Sequence, residues 1–402
     1  MQPRTAQQLD AKTIQWISRR NLLNKVTARR PESQVAAGVL PAEVGLQLTN
    51  RCNLRCKHCF QWGDAGTFKT ASRAFQRDEL DIRIVEKVMA ETRSVKSELY
   101  LWGGETFVYS RFDRLIEMLT EDPRWTVICT NGLLIDKWRE RLAPISENVV
   151  LLVSVDGFPE ANDKLRGKGV SSKLMKALTN ALDAKKRGEL RGPISVACVI
   201  NDYNVAQLYE FALYCESLGV TSLFFAYPWH MSQGMTDQMD AYYEANFQWL
   251  AEQELFVPHG PASWHGYQFT LSPELLPTLR QQLRLIYDHT WRIRVRFQPG
   301  LKESEVDSFL QGGQMPAEGK TRCFSIFKRL NVLPNGRATT CKLFPEFTVG
   351  DLTSSSVAEV WSSMLAQRAR STLSAGLTPI CAKCSQLYLN TPNSAIVREA
   401  AP

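Results

Sequence analysis

Between Val44 and Tyr227, short apolar runs alternate with longer charged stretches of helical period, and this rhythm constrains the fold more than any other feature of the chain. Repeated strand-helix units cover both faces of a strand with helices, which is the pattern of a parallel sheet. The strands predicted are Val44 to Leu48, Glu98 to Trp102, Trp125 to Thr130, Val149 to Val155, Ile194 to Ile200 and Ser222 to Tyr227. Helices are predicted over Asp78 to Arg93, Phe112 to Leu119, Ile135 to Leu142, Ser172 to Arg187 and Val205 to Leu218. The expected class is α/β, a partial (β/α)6 TIM barrel followed by a small α+β domain.

Barrels of parallel strands bind ligands at the C-terminal strand ends, where loops are free to vary. Here Cys52 follows the first strand, Gly103-Gly104-Glu105 the second, Thr130-Asn131-Gly132 the third and Ser154-Val155-Asp156-Gly157 the fourth. After Tyr227 the pattern changes to helices over Asp237 to Glu254 and Glu274 to Asp288, a strand-like Trp291 to Phe297, and a linker helix, Glu303 to Leu310, before Gly312-Gly313. The last segment carries short strands at Leu330 to Val332 and Ala338 to Thr340, a Pro334-Asn335-Gly336 turn, and a helix from Val357 to Leu373. The expected domains are an irregular or helical extension over residues 1–40, the barrel over 41–235, a helical linker region over 236–314 and a cysteine-bearing domain over 315–402.

With 402 residues, 44% hydrophobic and 22% charged, the chain is a globular protein of two or three domains rather than a disordered or fibrous one. Its net charge of +7 is spread along the chain, which suits an anionic ligand without asking for nucleic acid. Apolar runs such as Val149 to Val153 fall far short of the ~20 residues that span a bilayer. Arg19, Arg20, Arg29 and Arg30 near the start lack the apolar stretch of a secretory signal, so a cytoplasmic location is expected, with neither membrane nor nucleic acid as partner.

Seven of the ten cysteines form two groups: Cys52, Cys56 and Cys59, then Cys323, Cys341, Cys381 and Cys384. Such spacing points to metal ligands rather than to a disulfide scaffold. Three thiolates leave one position of a metal site open, so the first group suits an iron-sulfur cluster with one free iron, or zinc with His58 as the fourth ligand; three buried thiols are the plain alternative. The second group closes a four-thiolate site, either structural zinc or a cluster.

Asn53-Leu54-Arg55-Cys56-Lys57-His58-Cys59-Phe60 resembles the signature loop of radical S-adenosylmethionine (SAM) enzymes. The resemblance implies that Cys52, Cys56 and Cys59 hold a [4Fe-4S] cluster whose fourth iron is chelated by SAM. Reductive cleavage of SAM then gives a 5′-deoxyadenosyl radical that removes hydrogen from a substrate. Gly103-Gly104-Glu105 is similar to the family's G-G-E-P motif for the SAM amino group, with Thr106 in place of proline. By the same resemblance Asn131 contacts the ribose, Ser154 and Arg166 the carboxylate, and His58 and Phe60 the adenosine. The second cysteine group looks like the auxiliary-cluster domain called twitch, a shortened SPASM domain, and implies one further, fully ligated [4Fe-4S] cluster.

The expected function is hydrogen abstraction from a substrate C–H bond, with oxidation or other modification of a sugar- or aminocyclitol-like small molecule. The one-cluster arrangement is similar to that of radical SAM alcohol dehydrogenases of aminoglycoside biosynthesis. The alternatives are maturation of a ribosomally made peptide and redox-neutral epimerisation. A short extension before Val44 speaks against a separate peptide-recognition domain. A flavodoxin- or ferredoxin-type protein is the expected electron donor. Tyr227, Trp229 and His230 after the sixth strand and Gln61 and Trp62 after the cluster loop are candidates to face substrate, and Cys129 is the candidate hydrogen donor.

Overall fold

The computed structural model describes residues 2–29, 40–256, 258–312, 320 and 322–390. Arg30, Gly313 and the predicted boundary at 314/315 lie outside them. Ten strands form one sheet: β1 Glu43–Thr49, β2 Glu98–Gly103, β3 Thr126–Thr130, β4 Val149–Ser154, β5 Ile194–Val199, β6 Ser222–Ala226, β7 Arg294–Gln298, β8 Arg329–Val332, β9 Arg337–Thr339 and β10 Thr348–Asp351. Their order is β10-β9-β8-β1-β2-β3-β4-β5-β6-β7. Every pair from β8 through β7 is parallel, and β9 and β10 complete an antiparallel edge.

The expected α/β class and partial barrel are therefore present, and two strands expected outside the barrel, near 291–297 and 330–332, join its parallel sheet. β7 joins β6, and β8 joins β1 with Leu330 opposite Val44 and Val332 opposite Leu46. Both additions are pairings between segments remote in sequence, which strand periodicity does not encode. Their consequence is that the cysteine-bearing segment continues the barrel sheet and lies at its mouth.

Helices cover the outer face. In α1, Ile82–Glu91, Ile84, Val85, Val88 and Met89 are buried, and in α2, Phe112–Glu121, Phe112, Leu115, Ile116 and Leu119 are buried, the spacing of one helical face. Asp81 starts α1 by accepting the Arg83 N–H, which sets the start later than the predicted Asp78. The predicted helix Val357 to Leu373 is two helices, Val357–Ser362 and Met364–Ala375. Ser363 leaves helical geometry to cap the second one, accepting from the Ala366 N–H. The extension contains a helix, Ala11–Arg29, whose Trp16 stacks on Trp125 at 5.0 Å.

Strand alternation sets what faces the lumen. Along β3 and β4, Ile128, Leu151 and Val153 are buried against the helices, while Cys129, Leu152 and Ser154 are half-buried on the inner face. On β2 the same alternation buries Leu99 and Leu101 and turns Tyr100 and Trp102 inward.

Candidate active site

The loop after β1 carries Cys52, Cys56 and Cys59 across the barrel mouth, and its own side chains shape it. Trp62 donates its indole N–H to the Asn50 carbonyl at 2.8 Å. Arg55 lies 3.8 Å from the centre of the Trp62 ring and donates to the Cys52 carbonyl at 2.8 Å. Hydrogens already point at the sulfurs: Leu54 N–H to Cys52 Sγ at 3.4 Å, Trp62 N–H to Cys59 Sγ at 3.3 Å, and Arg166 Nη1 to Cys56 Sγ at 3.9 Å.

Burial pushes the Cys52 thiol up to about 12 and the Cys56 thiol up to about 11. Left to themselves these thiols stay protonated, and a cationic iron site would hold them as the thiolates their N–H donors favour. Among the described residues no three His, Cys, Asp or Glu side chains gather as they do around a single ion. A cubane cluster asks for a wider set, since each thiolate takes its own iron.

Gly103 and Gly104 let the loop pass this close. A Cβ on Gly103 would stand 2.4 Å from the Thr49 carbonyl oxygen, and one on Gly104 would stand 2.2 Å from that of Arg51. The N–H groups of Gly104 and Glu105 donate to the Thr49 and Arg51 carbonyls, each at 2.8 Å, which pins this turn against the start of the cluster loop. Gly104→Ala is expected to cost about 1–3 kcal/mol of stability, because the obstacle is backbone. Denaturant unfolding together with the iron content of reconstituted protein checks this.

The Glu105 carboxylate serves the scaffold. It accepts from the Thr130 hydroxyl and the Asn131 N–H, both at 2.7 Å, and from the Phe107 N–H at 3.1 Å. Burial nevertheless pushes its pKa up. Asn131 in turn donates to Asn53 Oδ1 at 2.7 Å, tying the third strand end to the cluster loop.

Asp156, which the sequence reading placed only as part of a strand end, is the hub of the opposite wall. Fully buried, it accepts from the Val199 N–H at 2.8 Å, and its other oxygen lies 2.8 Å from Arg166 Nε and 3.5 Å from His58 Nε2. Burial holds the His58 imidazole below its ordinary pKa, against the pull of Asp156. Removing one partner of a buried ion pair typically costs about 3–5 kcal/mol. Asp156→Asn is therefore expected to destabilise the fold and to leave Arg166 misplaced, read as a lower unfolding midpoint and weaker SAM binding.

These groups enclose one cavity of about 370 Å³, within the roughly 300–1,000 Å³ of small-molecule sites. Cys52, Cys56, Cys59, His58, Phe60, Gly103, Gly104, Glu105, Asn131, Ser154 and Arg166 all border it. So do Cys129, Trp62, Trp229 and Tyr227, although the Tyr227 ring packs on Phe297 at 5.8 Å and Phe309 at 6.1 Å with its hydroxyl buried. His230 does not border this cavity, and Gln61 borders a second one. Cys129 shares a hydrogen bond with Tyr100, and burial raises its thiol pKa. Tyr100, Trp102, Tyr267, Phe269 and Lys342 complete the lining without having been anticipated. For Tyr100 and Trp102 the signal was available, since they are the inward phase of a strand whose outward phase is Leu99 and Leu101.

Cys323, Cys341, Cys381 and Cys384 belong to the segment whose Lys342 and Leu343 border this cavity. Backbone N–H groups reach three of the sulfurs: Ser325 and Ile326 for Cys323, Leu343 and Phe344 for Cys341, and Gln386 and Leu387 for Cys384. The Thr378 hydroxyl lies 3.1 Å from Cys381 Sγ. Burial pushes Cys381 up to about 12 and Cys384 up to about 11, with Cys323 adding to both. Four half-buried cysteines, with Cys384 acting on Cys341 and Cys323 acting on Cys381 and Cys384, suit a closed four-thiolate cluster. An aromatic bridge links the two cysteine sites, with Phe60 stacked on Tyr267 at 4.8 Å and Tyr267 against Phe344 at 5.7 Å.

Comparison with known proteins finds two family domains in the chain. The radical SAM superfamily model matches residues 46–212, and the SPASM iron-sulfur cluster-binding domain matches residues 323–385. The chain carries a radical SAM domain and a SPASM domain. The cofactors that go with these two domains are SAM and [4Fe-4S] clusters, a SAM-binding radical cluster and auxiliary clusters. The chain is 28% identical over 184 residues to the sporulation killing factor maturation protein SkfB of Bacillus subtilis, covering 45% of this chain and 41% of that protein. It is 30% identical over 179 residues to the mycofactocin maturase MftC of Mycobacterium tuberculosis, covering 44% and 42%. The matched stretch thus spans less than half the length of either relative. Streptococcus suis SuiB bound to precursor peptide SuiA superposes with a TM-score of 0.56 over 98% of this chain and 80% of that one, at 15% identity, a likeness of fold. No helix among the described residues is long and apolar enough to cross a membrane.

Proposed function

We propose that this radical SAM protein is a peptide-modifying enzyme that abstracts hydrogen from a C–H bond of its substrate. The similarity to maturases shifts the balance away from the sugar-like substrate first expected and toward the peptide alternative. The observation that carries the reading is a second cavity, about 320 Å³, between the barrel rim and the turn joining β8 to β9. It shares Phe60, Trp102, Lys342 and Leu343 with the SAM-sized cavity. A substrate longer than one residue could occupy both.

When bound, the cluster and SAM supply a 5′-deoxyadenosyl radical. The protein's part is to hold and shield. Cys52, Cys56 and Cys59 would fix the cluster, and the Gly103-Gly104 carbonyls and Arg166 would take the two charged ends of the methionine moiety. Trp229, Tyr267 and Phe269 would exclude water. Arg166→Ala is expected to weaken SAM binding by ~1.5–3 kcal/mol, and Arg166→Lys to recover part of it, because an ammonium lacks the planar fork. Anaerobic calorimetry on the cluster-loaded variants measures both.

A flavodoxin- or ferredoxin-type donor would reduce the cluster. The deciding experiment incubates reconstituted enzyme, SAM and dithionite with the short peptides encoded beside its gene. A peptide that stimulates 5′-deoxyadenosine formation and changes mass is the expected result. Stimulation by an aminocyclitol, with every peptide unchanged, would return the reading to small molecules.

A further inference from the structure

Lys342 stands on the wall that the two cavities share, and among the described residues its ammonium has no hydrogen bond or ion pair. Its contact is with the Tyr100 ring, 4.3 Å from the centroid, a ring that Arg329 also approaches at 4.6 Å. Arg329 is buried, and its carboxylate partner is Glu43, at 3.6 Å. Lys342 on the shared wall and Arg329 thus flank one ring, and Glu43 has both Arg329 and Arg20 near it, at 3.6 and 4.0 Å. Cys129, Cys384 and Glu43 are near enough to Lys342 to influence it, and Asp78 and Glu254 border the second cavity without pairing with Lys342.

On the other side of this wall the second cavity sets Phe60, Phe68, Phe75, Trp102 and Phe256 beside polar groups such as Gln61, His259 and Asn335. An unpaired cation in a largely enclosed site favours an anion that brings its own desolvated partner group, and flat apolar walls favour a ring. We infer that Lys342 receives a carboxylate of the substrate while an adjacent aromatic side chain fills the second cavity. The carbon atoms between these two anchors then lie along the residues that the two cavities share, Phe60, Trp102, Lys342 and Leu343. The carboxylate belongs either to the peptide's C-terminus or to an acidic side chain next to the aromatic residue.

The inference rests on the peptide-modifying reading for what the ligand belongs to, but its test measures binding alone, so the two fail separately. The probes are N-acetylphenylalanine, its amide, and N-acetylaspartylphenylalaninamide, titrated anaerobically into cluster-loaded protein with SAM present. Wild-type protein is expected to bind at least one acid about ten- to a hundredfold more tightly than the amide, the range of one charge-assisted contact. Tighter binding of the first acid assigns the chain terminus, and tighter binding of the second assigns the side chain. Lys342→Met, which keeps the aliphatic stem, should erase the preference, and Lys342→Arg should retain most of it. The comparison of acid with amide on wild-type protein needs no variant to fold. Equal affinity for acids and amide overturns the inference. So does a Lys342→Met protein that shifts the auxiliary cluster's midpoint potential while keeping the preference, because Lys342 would then serve the cluster rather than the substrate.

Discussion

Replacing Cys52, Cys56 and Cys59 together with Ala is expected to abolish 5′-deoxyadenosine formation while leaving about half of the reconstituted iron and sulfide, since the four-cysteine site is independent. The fold should survive, because what shapes this loop is not the sulfurs. The Trp62 indole on the Asn50 carbonyl, Arg55 across the Trp62 ring, and the Gly104 and Glu105 N–H bonds to Thr49 and Arg51 all remain. The variant should therefore unfold near the wild-type midpoint and still show the absorption of the auxiliary cluster. Chromatographic detection of 5′-deoxyadenosine after incubation with SAM and dithionite decides the matter. Continued cleavage would mean that the radical cluster sits elsewhere.

How far the sequence reaches is clearest at the strand ends. Gly103-Gly104-Glu105, Asn131 and Ser154 were legible as strand ends that a parallel barrel gathers at one mouth, Arg166 only through the family resemblance, and all of them border one cavity. The use made of them was less legible. Glu105 reads as a ligand, yet its carboxylate is consumed by Thr130, Asn131 and Phe107, and this follows only from the packing of β2 against β3. Asp156 was hidden for the same reason, since its roles toward Arg166 and His58 join segments that are distant along the chain. The placement of β8 beside β1 lay beyond reach altogether. Its four residues read as one arm of a local hairpin, and the parallel partner of Leu330 is Val44, 286 residues earlier. That pairing is what carries Lys342 to the cavity wall.

Losing Cys381 and Cys384 together to Ser is expected to split the reaction, with SAM still cleaved but the substrate no longer oxidised. Removal of a hydrogen atom leaves a carbon-centred radical, and a two-electron-oxidised product then requires loss of one proton and one electron. Phe60, Tyr267 and Phe344 stand between the two cysteine sites, and a closed four-thiolate cluster has no free iron for substrate, so accepting that electron is the chemistry it can offer. Wild-type enzyme should make one oxidised product per SAM and need little reductant once started, because the electron can return to the radical cluster. The double variant should consume one reducing equivalent per SAM and yield uncoupled 5′-deoxyadenosine. Because Cys381 and Cys384 also hold a small domain together, Tyr267→Leu supplies the companion test: it interrupts the aromatic bridge and leaves every thiol in place. Slower oxidation with both clusters spectroscopically intact is the expected result. A product of unchanged oxidation state carrying solvent-derived deuterium would instead assign epimerisation. Cys129, hydrogen-bonded to Tyr100 on the lumen wall, would then be the donor to replace first.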